Sequence, residues 1–194
     1  MKIDFKTWRA FNGFRVCGNM DYDSLHQIIS TNRIKTLEKQ GLIKKTCYQE
    51  SKDVLHTYRL TKKGQDYARA KMGMKHFEKP KGQERHQSHV GKKYASLTPK
   101  EQKSCMNQYD QKEYLYNRAY ELIEEGKRDE GEELLENMKN ASYIDLVYTT
   151  FENHQTILMG VEISTSNYSY EDNSLHEQTA MELIQVQHYE TIQI

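Results

Sequence analysis

The sequence predicts an α+β protein built from two small domains, and three observations lead to this class. Apolar residues recur at helical spacing in short segments of the first 72 residues, and two strand-like segments lie among them. From residue 142 onward, strand-like and helical segments follow each other in a different order. The charge also divides the chain: residues 1–100 contain 22 Lys and Arg against 9 Asp and Glu, and residues 101–194 contain 6 against 19.

This charge division indicates two different kinds of partner. A basic segment favours a polyanion, because Lys and Arg neutralise phosphates and release their counter-ions. The acidic segment would be repelled by that same polyanion, so we expect it to have another role. The alternative is an unevenly distributed, solvated charge with no partner at all.

Composition excludes several classes. No run of 18 apolar residues is present, so we expect no membrane span, and the polar start Met1-Lys2-Ile3-Asp4 does not resemble a secretory signal. The three Cys are odd in number and widely spaced, which predicts neither a disulfide framework nor a metal site. We therefore expect a protein of the reducing cytoplasm that needs no metal or cofactor.

The basic part predicts four helices and a hairpin. A first helix covers residues 4–14, and a second covers residues 23–28 with Asp21 or Asp23 as its cap. A third runs from about residue 32 to Gln40, and Gly41 ends it. Strand-like segments at 42–48 and 54–60 flank a polar tip. Thr61 then caps a fourth helix that ends near residue 72.

This order of elements is that of a winged helix-turn-helix. Residues 31–43 look like a recognition helix that leads into the first strand of the wing, and residues 58–64 resemble the second wing strand and the helix after it in many bacterial regulators. The resemblance covers roughly the first 72 residues. We assign residues 1–75 to a winged-helix, DNA-binding domain.

The candidate DNA-binding residues follow from this assignment. Arg and Asn side chains read guanine and adenine edges in the major groove, and Lys side chains neutralise flanking phosphates. The candidates are Thr31, Asn32, Arg33, Lys35, Thr36 and Lys39 on the third helix, with Lys44, Lys45 and Lys52 on the wing. The alternative is a solvated helix face in a winged helix that binds protein.

Residues 76–96 are basic, polar and rich in His, so we expect a linker in which His86 and His89 form a surface pair. Residues 97–194 then predict an acidic α/β domain. Thr98, Pro99 and Glu101 begin a helix that continues to about residue 125, and a shorter acidic helix covers residues 129–139. Strands at 142–148 and 155–164, a helix at 173–185 and a strand at 189–194 complete it.

The order helix–strand–strand–helix–strand, with an acid on each of the first two strands, resembles the restriction-endonuclease-like fold. A winged helix followed by such a segment resembles the replication-relaxation family of plasmids and other mobile elements. In that family a His precedes a Tyr by eight residues, as His86 and Tyr94 do here, but the usual Asp after the His is Gln87. The resemblance implies Asp145 and Glu162 as the two strand acids.

A nuclease of this fold also uses a Lys two residues beyond the second acid to help activate water. That position is Ser164, and no Lys or Arg follows Lys139. We therefore expect an inactive, vestigial nuclease-like scaffold at Asp145, Glu162 and Ser164, without a bound metal and without enzymatic activity.

The resulting hypothesis is a dimeric accessory protein of plasmid or conjugative DNA processing. It would bind double-stranded DNA, and its acidic domain would dimerise or recruit a relaxase or replication protein. The alternatives are a winged-helix transcriptional regulator, a metal-dependent nuclease, and a DNA-mimicking inhibitor whose acidic domain occupies a basic groove on an enzyme.

Overall fold

The chain divides into two compact units, Met1–Cys105 and Met106–Ile194, which we call the front unit and the rear unit. The computed structural model describes residues 3–50, 53–79, 84–165 and 169–194. Both units mix helices with a small three-stranded sheet, so the predicted α+β class is confirmed. In the described ranges, no helix is both long enough and apolar enough to cross a membrane.

The described residues of the front unit form six helices and three strands. Its elements are α1 (Phe5–Cys17), β1 (Met20–Asp21), α2 (Tyr22–Ile28), α3 (Thr31–Lys39), β2 (Ile43–Glu50), β3 (Asp53–Leu60), α4 (Lys62–Met72), α5 (Glu84–Ser96) and α6 (Pro99–Ser104). Side chains cap the helix starts as the sequence indicates, since Asp21 Oδ1 accepts from the Ser24 amide and Thr61 Oγ1 accepts from the Gly64 amide. Gly41 follows α3 with a φ of 69°, a left-handed conformation that favours glycine.

The front sheet has the order β1-β3-β2 and is antiparallel throughout. β2 and β3 form the predicted hairpin, in which Ile43 pairs with Leu60. β1 pairs with the other edge of β3 through Met20 and Tyr58, and it was not predicted because it is only two residues long. The buried apolar residues of α1, α2 and α3 pack with those of the hairpin to form the core of this unit.

The linker prediction for residues 76–96 is wrong over α5, and so is the predicted domain boundary at residue 97. α5 packs against α1, α2 and β1, and Tyr94 is fully buried with its hydroxyl donating to the Arg9 carbonyl at 2.8 Å. A Cβ on Gly13 would lie 2.8 Å from the Tyr94 ring, so this glycine lets α1 and α5 approach closely. α6 also belongs here, because Asn12 Nδ2 donates to the Gln102 carbonyl at 2.7 Å.

The rear unit contains α7 (Gln108–Glu124), α8 (Arg128–Asn137), β4 (Leu146–Glu152), β5 (Gln155–Ser164), α9 (Tyr170–Gln178), a π-helical segment (Thr179–Ile184) and β6 (His188–Gln193). The sheet order is β4-β5-β6, with β4 antiparallel and β6 parallel to β5. Asn153 and His154 form the tight turn between β4 and β5 with positive φ angles of 47° and 65°. Apolar residues from α7, the π-helical segment and the sheet form its core.

Three predicted elements of residues 97–194 differ in the structure. The single helix predicted over residues 99–125 is interrupted at Cys105–Asn107, because Met106 exchanges backbone hydrogen bonds with Val147 and Asn107 caps α7. The first strand begins at Leu146 instead of residue 142, so Asp145 lies immediately before β4. The helix predicted at 173–185 becomes π-helical from Thr179 to Ile184.

Candidate functional site

The outer face of α3 carries a row of exposed polar and basic side chains. Asn32, Lys35 and Lys39 are exposed, and their spacing of three and four residues places them on one side of the helix. Ile34 and Leu37 face the opposite way and are buried, at 1% and 0% exposure. The core contact therefore fixes which face of α3 is presented to solvent.

Arg33 does not belong to this exposed row. Its side chain is half-buried, and its Nε donates a hydrogen bond of 3.0 Å to Thr7 Oγ1 on α1. Thr7 is itself fully buried. Arg33 thus joins α3 to α1, which differs from the predicted base-reading role.

Three further candidate DNA-binding residues are Thr31, Thr36 and Lys52. The Thr31 hydroxyl lies 2.7 Å from Tyr22 Oη and links α3 to α2. Thr36 is exposed, but its hydroxyl donates to the Asn32 carbonyl at 2.8 Å within the same helix. Lys52 lies outside the described residues. Sequence spacing alone did not indicate that the Thr31 and Thr36 hydroxyls would form hydrogen bonds within the front unit.

Lys44 and Lys45 are both exposed on β2. Successive residues of a strand point to opposite faces, so the two ammonium groups leave the hairpin on different sides. Lys44 pairs with Arg59 across the ladder, which places a second cation on the same face of the hairpin, whereas Lys45 pairs with Tyr58. A ligand lying against one face of the hairpin would thus meet Lys44 or Lys45, but not both.

In the rear unit, Asp145 and Glu162 lie next to each other. The Asp145 amide donates to Glu162 Oε2 at 3.2 Å, and the Ile163 amide donates to Asp145 Oδ2 at 2.8 Å. Glu162 is on the central strand β5 and is 1% exposed. Two carboxylates are thereby held together by backbone groups in the middle of a sheet.

His176 of α9 completes this cluster and was missed from the sequence. Its Nδ1 lies 2.8 Å from Glu162 Oε1, within ion-pair distance. Burial alone would disfavour the charged imidazolium, but contact with Glu162 and the charges of Asp145 and Asp172 outweigh it and raise the pKa of His176. The spacing of 14 residues between Glu162 and His176 belongs to no local pattern, so only the packing of α9 on the sheet brings them together.

The pKa values of Glu162 and Tyr189 are shifted by burial and by neighbouring charges. Burial raises the pKa of Glu162, and although contact with His176 opposes this, the Asp145 carboxylate adds to the increase. Burial and the charge of Glu162 together raise the pKa of Tyr189 to about 12. His176 thus supplies positive charge to Glu162.

Ser164 occupies the position at which the nuclease pattern has Lys. It follows Glu162 by two residues on the same face of β5 and is 1% exposed. Among the described residues its Oγ finds no hydrogen-bond partner. A neutral hydroxyl cannot activate water electrostatically as an ammonium group does.

Two carboxylates and an imidazole are ligand types that can hold a divalent cation. In this arrangement, however, the Glu162 carboxylate is already engaged by His176 and by the Asp145 amide.

Comparison with protein-family models, with curated proteins and with solved structures gave no match.

Proposed function

We propose that the chain binds duplex DNA through the front unit, with α3 as the recognition helix of a winged helix-turn-helix. The observation that carries this proposal is the exposed row of Asn32, Lys35 and Lys39 opposite the buried Ile34 and Leu37. Asn and Lys are side chains that contact base edges and phosphates in a major groove. In this proposal the wing is the hairpin of β2 and β3, which directly follows α3 and pairs with β1 along the other edge of β3.

The charge of the front unit supports the same role. Residues 1–105 contain 23 Lys and Arg against 10 Asp and Glu, an excess that favours binding to a phosphate backbone. Residues 106–194 contain 5 against 18, which disfavours it. The front unit therefore contacts DNA in this proposal and the rear unit does not.

The rear unit acts in this proposal as a non-catalytic, nuclease-like module. Support comes from Ser164 at the position of the catalytic Lys and from the Glu162 carboxylate, which is engaged by His176. A metal-dependent nuclease is the second candidate, and the adjacent Asp145 and Glu162 favour it. The non-catalytic module and the nuclease differ in one measurable respect: only the nuclease cleaves DNA in the presence of a divalent cation.

The biological setting rests on the resemblance to the replication-relaxation family. In that setting the chain is a cytoplasmic accessory protein of plasmid or conjugative DNA processing, acts as a homodimer, and recruits a relaxase or replication protein through its acidic rear unit. A transcriptional regulator whose rear unit only dimerises is the alternative.

Footprinting of the full chain on two duplexes of the same element separates these settings. The accessory role predicts tighter binding to the transfer origin than to the promoter of the chain's own gene. The reverse preference supports the regulator. Absence of binding to any duplex at low salt contradicts both and leaves the front unit without a DNA-binding role.

A further inference from the structure

The outward side of α7 combines exposed tyrosines with carboxylates. Tyr116 and Tyr120 are 41% and 56% exposed, and their spacing of four residues puts them on one face of the helix. Glu113 and Glu124 lie one turn before and one turn after them along the same face. We call these four residues the tyrosine stripe.

The remaining faces of α7 show why the stripe points to solvent. Leu115 and Ala119 lie on the inner side and are 1% and 0% exposed. α8 packs closely against α7, since a Cβ on Gly131 would lie 2.7 Å from the Ala119 carbonyl oxygen. The tyrosines therefore cover neither the core nor the contact between the two helices.

Most cations of residues 108–139 contact local carboxylates. Residues 108–139 contain 10 Asp and Glu against 5 Lys and Arg. Arg118 contacts Glu121 at 3.8 Å, Lys127 contacts Glu125 at 3.0 Å and Arg128 contacts Glu132 at 2.7 Å. The local cations are thus too few to neutralise the acidic surface around the stripe.

One ring of the stripe already lies beside a cation. Lys112 Nζ lies 5.9 Å from the centroid of the Tyr116 ring, a geometry in which the ring face attracts positive charge. Guanidinium and ammonium groups bind both to such rings and to carboxylates. The stripe offers the two kinds of group side by side.

We propose that the tyrosine stripe is a docking surface for an Arg- and Lys-rich segment of a partner protein. The proposal rests on the recruiting role proposed above for the rear unit and assigns that role to four residues. Charge complementarity selects the occupant, because the 18 carboxylates of residues 106–194 repel nucleic acid and attract a basic peptide. Cation–π contacts with Tyr116 and Tyr120, the negative charge of Glu113 and a charge-assisted hydrogen bond to Glu124 hold it.

The direct test measures binding of a fluorescently labelled peptide of alternating Arg and Ser to the full chain by anisotropy. The double variant Tyr116→Ala, Tyr120→Ala should weaken binding by about tenfold, as expected for the loss of two exposed cation–π contacts. Tyr114→Ala is the matched control, because Tyr114 is 39% exposed on the other flank of α7. It should leave the affinity within about twofold of the parent.

Three outcomes contradict the proposal. Equal losses in the stripe variant and the Tyr114 control would mean that the peptide responds only to the general acidic field. Unchanged binding in the stripe variant would remove the surface from consideration. A change in the sedimentation coefficient of the peptide-free chain on replacing Tyr116 and Tyr120 would assign the surface to a second copy of the chain.

The DNA-binding proposal fails independently of this one. The variant Lys35→Ala, Lys39→Ala should bind the Arg-Ser peptide as the parent does, because both substitutions lie in the front unit. If that variant loses DNA binding, the DNA-binding proposal is supported. If the stripe variant at the same time binds the peptide as the parent does, only the docking surface is overturned.

Discussion

Arg33 Nε donates a hydrogen bond of 3.0 Å to Thr7 Oγ1, and this contact joins the proposed recognition helix to α1. Because Thr7 is fully buried, the acceptor is fixed in the core of the front unit. An Arg held in this way sets the orientation of α3. Asn32 and Lys35 are exposed and are the side chains that contact the groove in the proposal.

Arg33→Ala and Thr7→Val should each lower the free energy of unfolding of the front unit by about 1–2 kcal/mol, since each removes one partner of the hydrogen bond. The double variant should add little to either single variant. Fluorescence of Trp8, the single Trp of the chain and a residue of α1, reports urea unfolding of this unit. Arg33→Ala with parental stability and lost preference at one base pair would restore the base-reading role.

His176→Ala should destabilise the rear unit by about 3 kcal/mol, because it leaves the buried Glu162 carboxylate without its cationic partner. Adding Glu162→Gln to this variant should recover part of the loss, because no unpaired charge then remains. Circular dichroism in urea measures both effects. His188→Ala on β6 is the control, since His188 is exposed, and a loss as large as that of His176→Ala would remove the special role of the pair.

The same pair should make the rear unit less stable as pH rises. The pKa values of His176 and Glu162 are both raised in the folded chain, so the folded state binds more protons than the unfolded state. The His176 contribution is fully present below its unfolded pKa of about 6.5 and is lost as pH rises through the higher folded value. Glu162 also lowers the stability of the rear unit as pH rises, beginning at its unfolded pKa of about 4.3.

Unfolding free energies measured between about pH 5 and pH 8 should therefore decline in the parent. The variant His176→Ala, Glu162→Gln should decline less over the same range. If the unfolding free energy declines equally with pH in both proteins, groups other than His176 and Glu162 cause the pH dependence.

The rear unit should not cleave DNA. Incubation of supercoiled plasmid with the full chain and Mg²⁺ or Mn²⁺ should yield no nicked circles above background, because Ser164 cannot replace the ammonium group. Asp145→Ala and Glu162→Ala distinguish a contaminant from the chain itself. Cleavage that disappears in both variants would establish the nuclease.

Much of the secondary structure follows from local signals. Caps such as Asp21, Thr61 and Thr98, and the stop at Gly41, mark element ends through side-chain and backbone chemistry confined to a few residues. The apolar run of β5 and the turn at Asn153 are equally local. These elements could be predicted for that reason.

The features that were missed depend on tertiary contacts. α5 buries Gln87 and Ser88 along with Tyr94, so its inner face is too polar to stand out by hydrophobic period. The interruption at Met106 contains neither Gly nor Pro and is set by its bridge to Val147.

The candidate site residues also divide into those that local signals predict and those that depend on tertiary contacts. Exposure of Lys35 and Lys39 follows from the helical period, whereas the pairing of Arg33 with Thr7 and of His176 with Glu162 required the fold.

The salt dependence of duplex binding tests the central claim most directly. The affinity of the full chain should fall steeply with salt, and Lys35→Ala, Lys39→Ala should weaken binding and reduce the slope of log K against log salt by about two, one for each lost phosphate contact. Lys71→Ala, which removes an exposed cation from α4, is the control and should keep the parental slope. No duplex binding at low salt, or a slope unchanged in the double variant, would contradict DNA recognition by α3.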